Sequence, residues 1–316
     1  MKMLLALLLS LVTTAAVAQS TAGTMRIIVP FGPGGVQDIL ARTVSSELGI
    51  QLGRNVIVEN RPGAGNTIAT AAVAKAAPDG NTLILAGSNH FISGALYSKL
   101  SYDPLKDFTG VAHIGTVDSM LMINADVPAK SVSEFISYAK ANPGKLNYSS
   151  AGSGSVAHLS FAYFANLAGV DIVHVPYKSA GEALQEMIAG RVQAVSPATI
   201  SALPFVKDPR VRVLGMTGIK RSKFLPDVPT IAEAGVPGYE FDSWMGLIGP
   251  AGIPRATVDQ IDAAMGVLLK DSAILERLAK QGVEPRALSP EAFNAILRAD
   301  AVKMERVVKI SGARVD

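Results

Sequence analysis

Apolar, β-branched runs alternate along this chain with stretches whose apolar residues recur at helical spacing. Residues 25–31, 56–59, 82–86 and 111–117 read as strands, and residues 37–48 and 67–77 between them as helices. Pro78-Asp79-Gly80 makes a turn before the third strand. A second series follows, with strands at 119–124, 146–148, 172–175, 192–195 and 211–216 and helices at 156–167 and 181–189. Ser131 and Glu134 form an S-x-x-E capping box for a further helix, which Asn142-Pro143-Gly144 ends. After Pro226 the chain is loop-like as far as Pro237-Gly238, and residues 239–249 form the last extended segment. Two helices complete the pattern. Thr257 with Gln260 is expected to cap the first, and Ser289-Pro290-Glu291 to start the second. The alternation predicts an α/β fold with mostly parallel sheets and helices on both faces. Two series imply two lobes, with crossings near residues 117–126 and 238–246 and a ligand cleft between them.

Two glycine-rich turns stand where a strand hands over to a helix. The first is Val29-Pro30-Phe31-Gly32-Pro33-Gly34-Gly35; the second is Ser149-Ser150-Ala151-Gly152-Ser153-Gly154-Ser155. The first turn of a helix carries unpaired N–H groups and the positive end of the macrodipole, so each turn is a backbone cradle for an anion. Asp38 is placed to brace the first turn, and His158 to contact ligand or brace the second. Ser88-Asn89-His90 ends a strand and faces the same crevice. Trp244, the single tryptophan, reads as core.

Composition narrows the picture. Of 316 residues, 49% are hydrophobic and 17% charged, with a net charge of +3 and no basic run, so the chain is globular and nucleic acid is not an expected partner. Lys2, an apolar run from Met3 to Val12 and Ala16-Val17-Ala18 describe a secretory signal peptide over residues 1–18, cleaved after Ala18. There is no cysteine, which removes disulfides, thiol catalysis and lipid attachment through cysteine. The expectation is an exported, periplasmic protein that needs no cofactor or metal. The four histidines show no metal-ligand spacing.

Rival motifs are weaker. Gly152-Ser153-Gly154-Ser155-Val156-Ala157 fits the dinucleotide pattern G-x-G-x-x-A, but the next strand ends in His174-Val175-Pro176-Tyr177 without the required acid. Neither a G-x-S-x-G elbow nor a phosphate-binding P-loop motif occurs. An exported hydrolase would need a pair such as Ser155 with His158, for which no orienting acid is at hand. A solute sensor that signals through a membrane partner is a third reading.

In order along the chain, Val29–Gly35 with Asp38, Val58-Glu59-Asn60-Arg61-Pro62-Gly63-Ala64-Gly65, Leu96-Tyr97 with Leu100-Ser101-Tyr102-Asp103-Pro104, Ser150–Ser155 with His158-Leu159, Val175-Pro176-Tyr177-Lys178, Pro226-Asp227-Val228-Pro229-Thr230 and Gly249-Pro250-Ala251-Gly252-Ile253-Pro254 resemble one family. It is the Bug family, the TctC-like extracytoplasmic solute receptors of tripartite tricarboxylate transporters. The resemblance implies a type II periplasmic-binding-protein fold that closes on a small carboxylate, expected to be an aliphatic or aromatic dicarboxylate, and passes it to a membrane permease without catalysis. Lobe 1 is then expected over residues 24–120 and 242–316, and lobe 2 over 121–241, in a monomer. Carried over, the ligand contacts are Phe31, Gly34, Gly35, Ser88, Asn89, Ser150, Gly152, Ser153, Gly154 and Ser155, and His158, Tyr177 and Ser196 complete the candidate set. Two departures from the family pattern, Ser93-Gly94-Ala95 and Gln193 with Ser196-Pro197, are expected to line the cleft and to alter how the ligand's far end is read.

Overall fold

The computed structural model describes residues 23–313; the expected signal peptide lies outside them. Two sheets organise the chain. The first holds β1 (Met25–Val29), β2 (Val56–Asn60), β3 (Thr82–Gly87), β4 (Phe108–Val117), β10 (Ser243–Pro250) and β11 (Val283–Pro285), in the order β11-β4-β10-β3-β1-β2. The second holds β5 (Met120–Asn124), β6 (Asn147–Ser150), β7 (Val173–Pro176), β8 (Ala194–Val195) and β9 (Val211–Met216), in the order β7-β6-β8-β5-β9. The chain passes from the first sheet to the second between Val117 and Met120 and returns between Met216 and Ser243.

Registers decide which ends of the strands meet at these crossings. β10 leaves the return crossing at Ser243 and runs antiparallel to β3, with Met245 opposite Gly87. β1 is parallel to β3, so the C-terminal ends of both lie on the crossing side. In the second sheet β5 leaves its crossing at Met120 and runs antiparallel to β8, with Met122 opposite Val195. β6 is parallel to both β8 and β7. The turns after β1, β3, β6, β7 and β8 therefore all open onto the space between the sheets, the crevice position for ligands in open α/β sheets.

Helices cover the faces: α1 (Val36–Leu52), α2 (Thr67–Ala74), α3 (Asn89–Leu96), α4 (Val132–Ala141), α5 (Val156–Ala168), α6 (Ala180–Ile188), α7 (Thr199–Ala202), α8 (Arg255–Leu268), α9 (Ser272–Lys280) and α10 (Pro290–Ser311). Ile27, Ile28 and Val29 of β1 are fully buried, as befits an inner parallel strand covered on both faces. Helix α10 packs on α3 and β4 of the first lobe and on α5 of the second, and one apolar cluster runs through Phe91, Phe161, Phe164, Phe241, Trp244, Phe293 and Met304. The lobes thus share a core beside the crossings. Among the described residues no helix is long and apolar enough to cross a membrane.

Several boundaries differ from the sequence expectation. Beyond the strand end expected at Ser88-Asn89-His90, Asn89–Leu96 form α3, because Phe91 and Ile92 bury one face while Ser88 lies at its N-terminal end. Three helices follow β10 rather than two, since Asp271 accepts from the N–H groups of Ala273 and Ile274 and starts α9. Thr257 lies inside the first turn of α8, which begins at Arg255 behind Pro254, so the expected capping box does not form. The cap of the box at Ser131 and the helix start at Ser289 do form: their hydroxyls accept from the N–H groups of Glu134 and Ala292.

Candidate functional site

The first cradle follows β1. Gly34 has φ +84°, a left-handed conformation that a side chain would strain, and its N–H donates to Asp38 Oδ2 at 2.9 Å. Asp38 is buried and also accepts from Arg42 at 3.0 Å and Asn60 at 2.8 Å. Burial pushes the Asp38 carboxyl up, but the hydrogen bonds of Arg42, Gly34 and Asn60 and the charge of Arg42 outweigh it and hold the group below its usual value. Arg42 is therefore tied to Asp38 and Asn60, which donates in turn to the Phe31 carbonyl at 3.0 Å. Gly35 occupies the N-cap position of α1 and no side chain caps that helix. Its first-turn N–H groups are left for a ligand. Phe31, 37% exposed, stands beside them.

Helix α3 contributes a second N-terminus to the same lobe, again without a side-chain cap. Asn89 Oδ1 accepts from Gln37 Nε2 at 3.2 Å, which joins the first turns of α1 and α3. Ser88 is fully buried, and its hydroxyl reaches the Asp242 carbonyl on the return crossing at 3.4 Å. His90 is buried beneath the site, donates from Nε2 to the Pro104 carbonyl at 2.7 Å, and is pushed down to about 4 by burial.

The opposite cradle follows β6. The Ser155 hydroxyl caps α5 by accepting from the His158 N–H at 3.2 Å. Gly154, at φ +78°, donates its N–H to His158 Nδ1 at 3.0 Å. The His158 ring stacks on His174 with centroids 3.8 Å apart and planes 8° from parallel. His174 Nε2 lies 2.6 Å from Ser150 Oγ, and that hydroxyl donates to the Gly152 carbonyl at 3.0 Å. Two histidines and a serine thus hold the loop from beneath. His158 is engaged in bracing, and the Ser155–His158 nucleophile and base pairing is not made, because each group's relevant atom already serves the backbone.

The candidate residues fall into two facing groups. Phe31, Gly34, Gly35, Ser88 and Asn89 gather at the ends of β1 and β3, and Ser150, Gly152, Ser153, Gly154, Ser155 and His158 at the end of β6. The groups approach through Leu96 of α3: a Cβ on Gly154 would stand 2.5 Å from Leu96 Cδ1. Gln37 has no signal in the sequence beyond its position next to a motif, and Leu96 none beyond the Leu96-Tyr97 match. The side chains of Ser150, Tyr177 and Ser196 are committed elsewhere. Tyr177 hydrogen-bonds Glu186, and the Ser196 hydroxyl is buried against Ser160 Oγ at 2.9 Å. Nor does Gln193 line the cleft as expected. Its Oε1 accepts from the Asn147 N–H at 2.9 Å, at the end of the sheet away from the crossings. Ser93 donates to the Gly65 carbonyl at 2.6 Å and so anchors α3 to the neighbouring loop. Among the described residues no group of three or more His, Cys, Asp or Glu is arranged to hold a metal ion.

Two α/β lobes, two crossings, the uncapped N-termini of α1 and α3 in one lobe and the glycine turn at the start of α5 in the other define a cleft-type solute-binding protein. Residues 40–312 match the model of the tripartite tricarboxylate transporter family receptor. The chain belongs to this family, whose members are solute receptors rather than enzymes. It is 31% identical over 296 residues to the protein BugT of Bordetella pertussis, covering 93% of this chain and 91% of BugT. Among solved structures it is similar to an R. palustris protein solved with adipate, with TM-score 0.77, 34% identity and coverage of 94% and 100% of the two chains. It is also similar to MatC from Rhodopseudomonas palustris with bound malate, with TM-score 0.72, 35% identity and coverage of 90% and 98%.

Proposed function

We propose that this receptor works in the periplasm, captures a small dicarboxylate between its lobes, and delivers it to the membrane permease of a tripartite tricarboxylate-type transporter. In this reading residues 1–18 are removed as a signal peptide, residues 24–120 with 242–316 form one lobe, and residues 121–241 the other. The observation that carries it is the uncapped N-terminus of α1 across the cleft from the Gly154 turn at the start of α5. Each can take one carboxylate through backbone N–H groups, with the helix dipole adding to the attraction. Arg42, on the helix that follows the first cradle, is spent on Asp38 and Asn60, so in this reading recognition rests on neutral donors. Micromolar affinity needs only about 8 kcal/mol, which several such hydrogen bonds supply. The adipate and malate of the two structural relatives support a four- to six-carbon diacid as the first class to test.

Thermal-shift screening of the mature chain against mono- and dicarboxylates tests the reading. A ligand at about 100 times its Kd stabilises by about 2.7 kcal/mol. Stabilisation by a diacid, lost when either carboxyl is converted to an amide, is the expected outcome. Stabilisation by neutral sugars or amines alone would overturn it.

A further inference from the structure

A helix start is ordinarily capped by a Ser, Thr, Asp or Asn side chain. The two helix starts on the first lobe's side of the cleft are not. Gly35, before α1, has no side chain to offer. Before and at the start of α3 the sequence supplies two residues of the capping class, Ser88 and Asn89, yet neither caps it. Both are drawn away. The Ser88 hydroxyl reaches the Asp242 carbonyl at 3.4 Å, and Asn89 Oδ1 accepts from Gln37 Nε2 at 3.2 Å.

Gln37 is the second residue of α1 and only 6% exposed. Burying so long a polar side chain costs rotamer freedom and requires a hydrogen-bond partner. Among the described residues its side chain hydrogen-bonds Asn89 and no other group. Asn89 is also held through its main chain. Asn66, itself at φ +83°, donates from Nδ2 to the Asn89 carbonyl at 3.0 Å. The Asn89 amide oxygen lies against the scaffold, 3.2 Å from where a Cβ on Gly87 would stand at the end of β3. The amide is planar, so fixing its oxygen fixes the direction of its amino group. Asn89 Nδ2 has no partner among the described residues and stands between the free helix starts of α1 and α3.

We propose that Gln37 is the positioning residue of this end of the site. It holds Asn89 Oδ1 off the first-turn N–H groups of α1 and α3 and leaves Asn89 Nδ2 beside them as a further donor. The first lobe then takes an ionised carboxylate in preference to the corresponding amide. Released from Gln37, the asparagine oxygen is free to turn to those N–H groups and fill the place of a carboxylate oxygen. A carboxylate only accepts, and every group at this end donates to it. A primary amide brings N–H groups of its own, which meet donors and find nothing to accept them. The inference rests on the proposed capture of a carboxylate in the cleft, and adds which side chain enforces it.

The test uses calorimetric titration of the mature chain with adipate, malate and the monoamide of each. The wild type is expected to bind each diacid more tightly than its monoamide. Gln37→Met is close in volume and cannot donate. It should weaken diacid binding about tenfold or more, while Tm holds or rises because Asn89 becomes free to cap. A glutamine with a merely structural role would lower Tm instead. The loss should disappear when Asn89→Ala is already present, since Gln37 acts through that side chain. Gln37→Glu can only accept, so it turns the Asn89 amide round. It should narrow or invert the preference for diacid over monoamide, and a shift that persists with Asn89→Ala would be charge alone. Diacid binding unchanged in Gln37→Met, or weakened equally with and without Asn89→Ala, overturns the proposal. Selective ¹⁵N labelling of glutamine or asparagine reads the pair without ligand. The slowly exchanging side-chain proton should belong to Gln37 and lose its protection in Asn89→Ala; a protected Asn89 side-chain proton overturns the proposal. If neither diacid binds the wild type, the dicarboxylate reading falls, and the labelled spectra alone decide for or against the orientation of the pair.

Discussion

His158 is where a change in protonation should act on both the fold and the ligand cradle. Its ring is 3% exposed, accepts the Gly154 N–H at Nδ1, and stacks on His174. An acceptor nitrogen carries no proton, so the His158 proton sits on Nε2. Ser150 has one hydroxyl proton and gives it to the Gly152 carbonyl, so His174 Nε2 must donate to Ser150. Both rings are neutral in this arrangement. Burial, reinforced by His174, brings His158 from 6.5 down to about 4, and burial brings His174 down to about 4 as well. The unfolded chain therefore binds more protons than the folded one between these limits. The stabilisation is complete above about pH 6.5 and is lost as pH falls through about 4. For one ring the shift corresponds to at most about 3 kcal/mol, and the coupled pair gives less than twice that. Asp118 and Asp242, which burial first of all pushes up to about 7 and about 6, act with the opposite sign, losing stability as pH rises, so the comparison must be made against a variant at each pH. His158→Asn keeps an acceptor near Nδ1 but cannot titrate. In urea denaturation, the advantage of the wild type over this variant should shrink by about 2 to 3 kcal/mol between about pH 7 and about pH 4. His158→Ala removes the acceptor and leaves the Gly154 N–H to find another, at about 1–3 kcal/mol. It should weaken ligand binding about tenfold or more, and His158→Asn should restore most of the loss. A stability difference that stays constant with pH, or an alanine variant that binds like the wild type, would refute the reasoning.

Asp38→Asn removes a charged acceptor from Gly34, Arg42 and Asn60 together. It should cost about 1.5–3 kcal/mol of stability, measured in urea, and weaken ligand binding by loosening the first cradle. Gly154→Ala forces a left-handed conformation costing about 1–2 kcal/mol and presses on Leu96, so calorimetry should show weaker binding with only a modest fall in Tm. Trp244→Phe takes the Nε1 donor from the buried Asp300 carboxyl and leaves it with Lys303 alone, and should destabilise by about 1–3 kcal/mol without changing ligand preference, as read by denaturation and a ligand screen.

The legible part of the fold was the part written in local pattern. β1, β3 and β9 are mainly apolar runs, and α4 and α10 carry their own caps, so each appears in the sequence close to where it lies in the structure. Helix α3 was not legible because it is short and begins at Ser88-Asn89-His90, whose polar character imitates a loop. What makes it a helix is tertiary: Phe91 packs against Trp244, and Ser93 ties to Gly65. The same holds for β11, three residues long, which forms because Val283 finds Val117 across the sheet.

For the candidate site the backbone was more legible than the side chains. A glycine turn between strand and helix announces a cradle wherever it occurs, because the constraint lies within a few consecutive residues. Whether a serine in that turn faces ligand or scaffold depends on residues far away. Ser150 is claimed by His174, Ser196 by Ser160, and Gln193 by Asn147, and none of these pairings has a local signature. The carboxyls on the two crossings are the extreme case. Asp118 and Asp242 stand 124 positions apart, flanked by unremarkable residues, and only the meeting of the two crossings over Gly218 puts them on one spot. A charge that is costly to bury and has no bearing on the fold pattern is invisible to periodicity. It acquires meaning when the register of β4 and β10 brings it against its like, one position beyond the Val117–Ser243 pair.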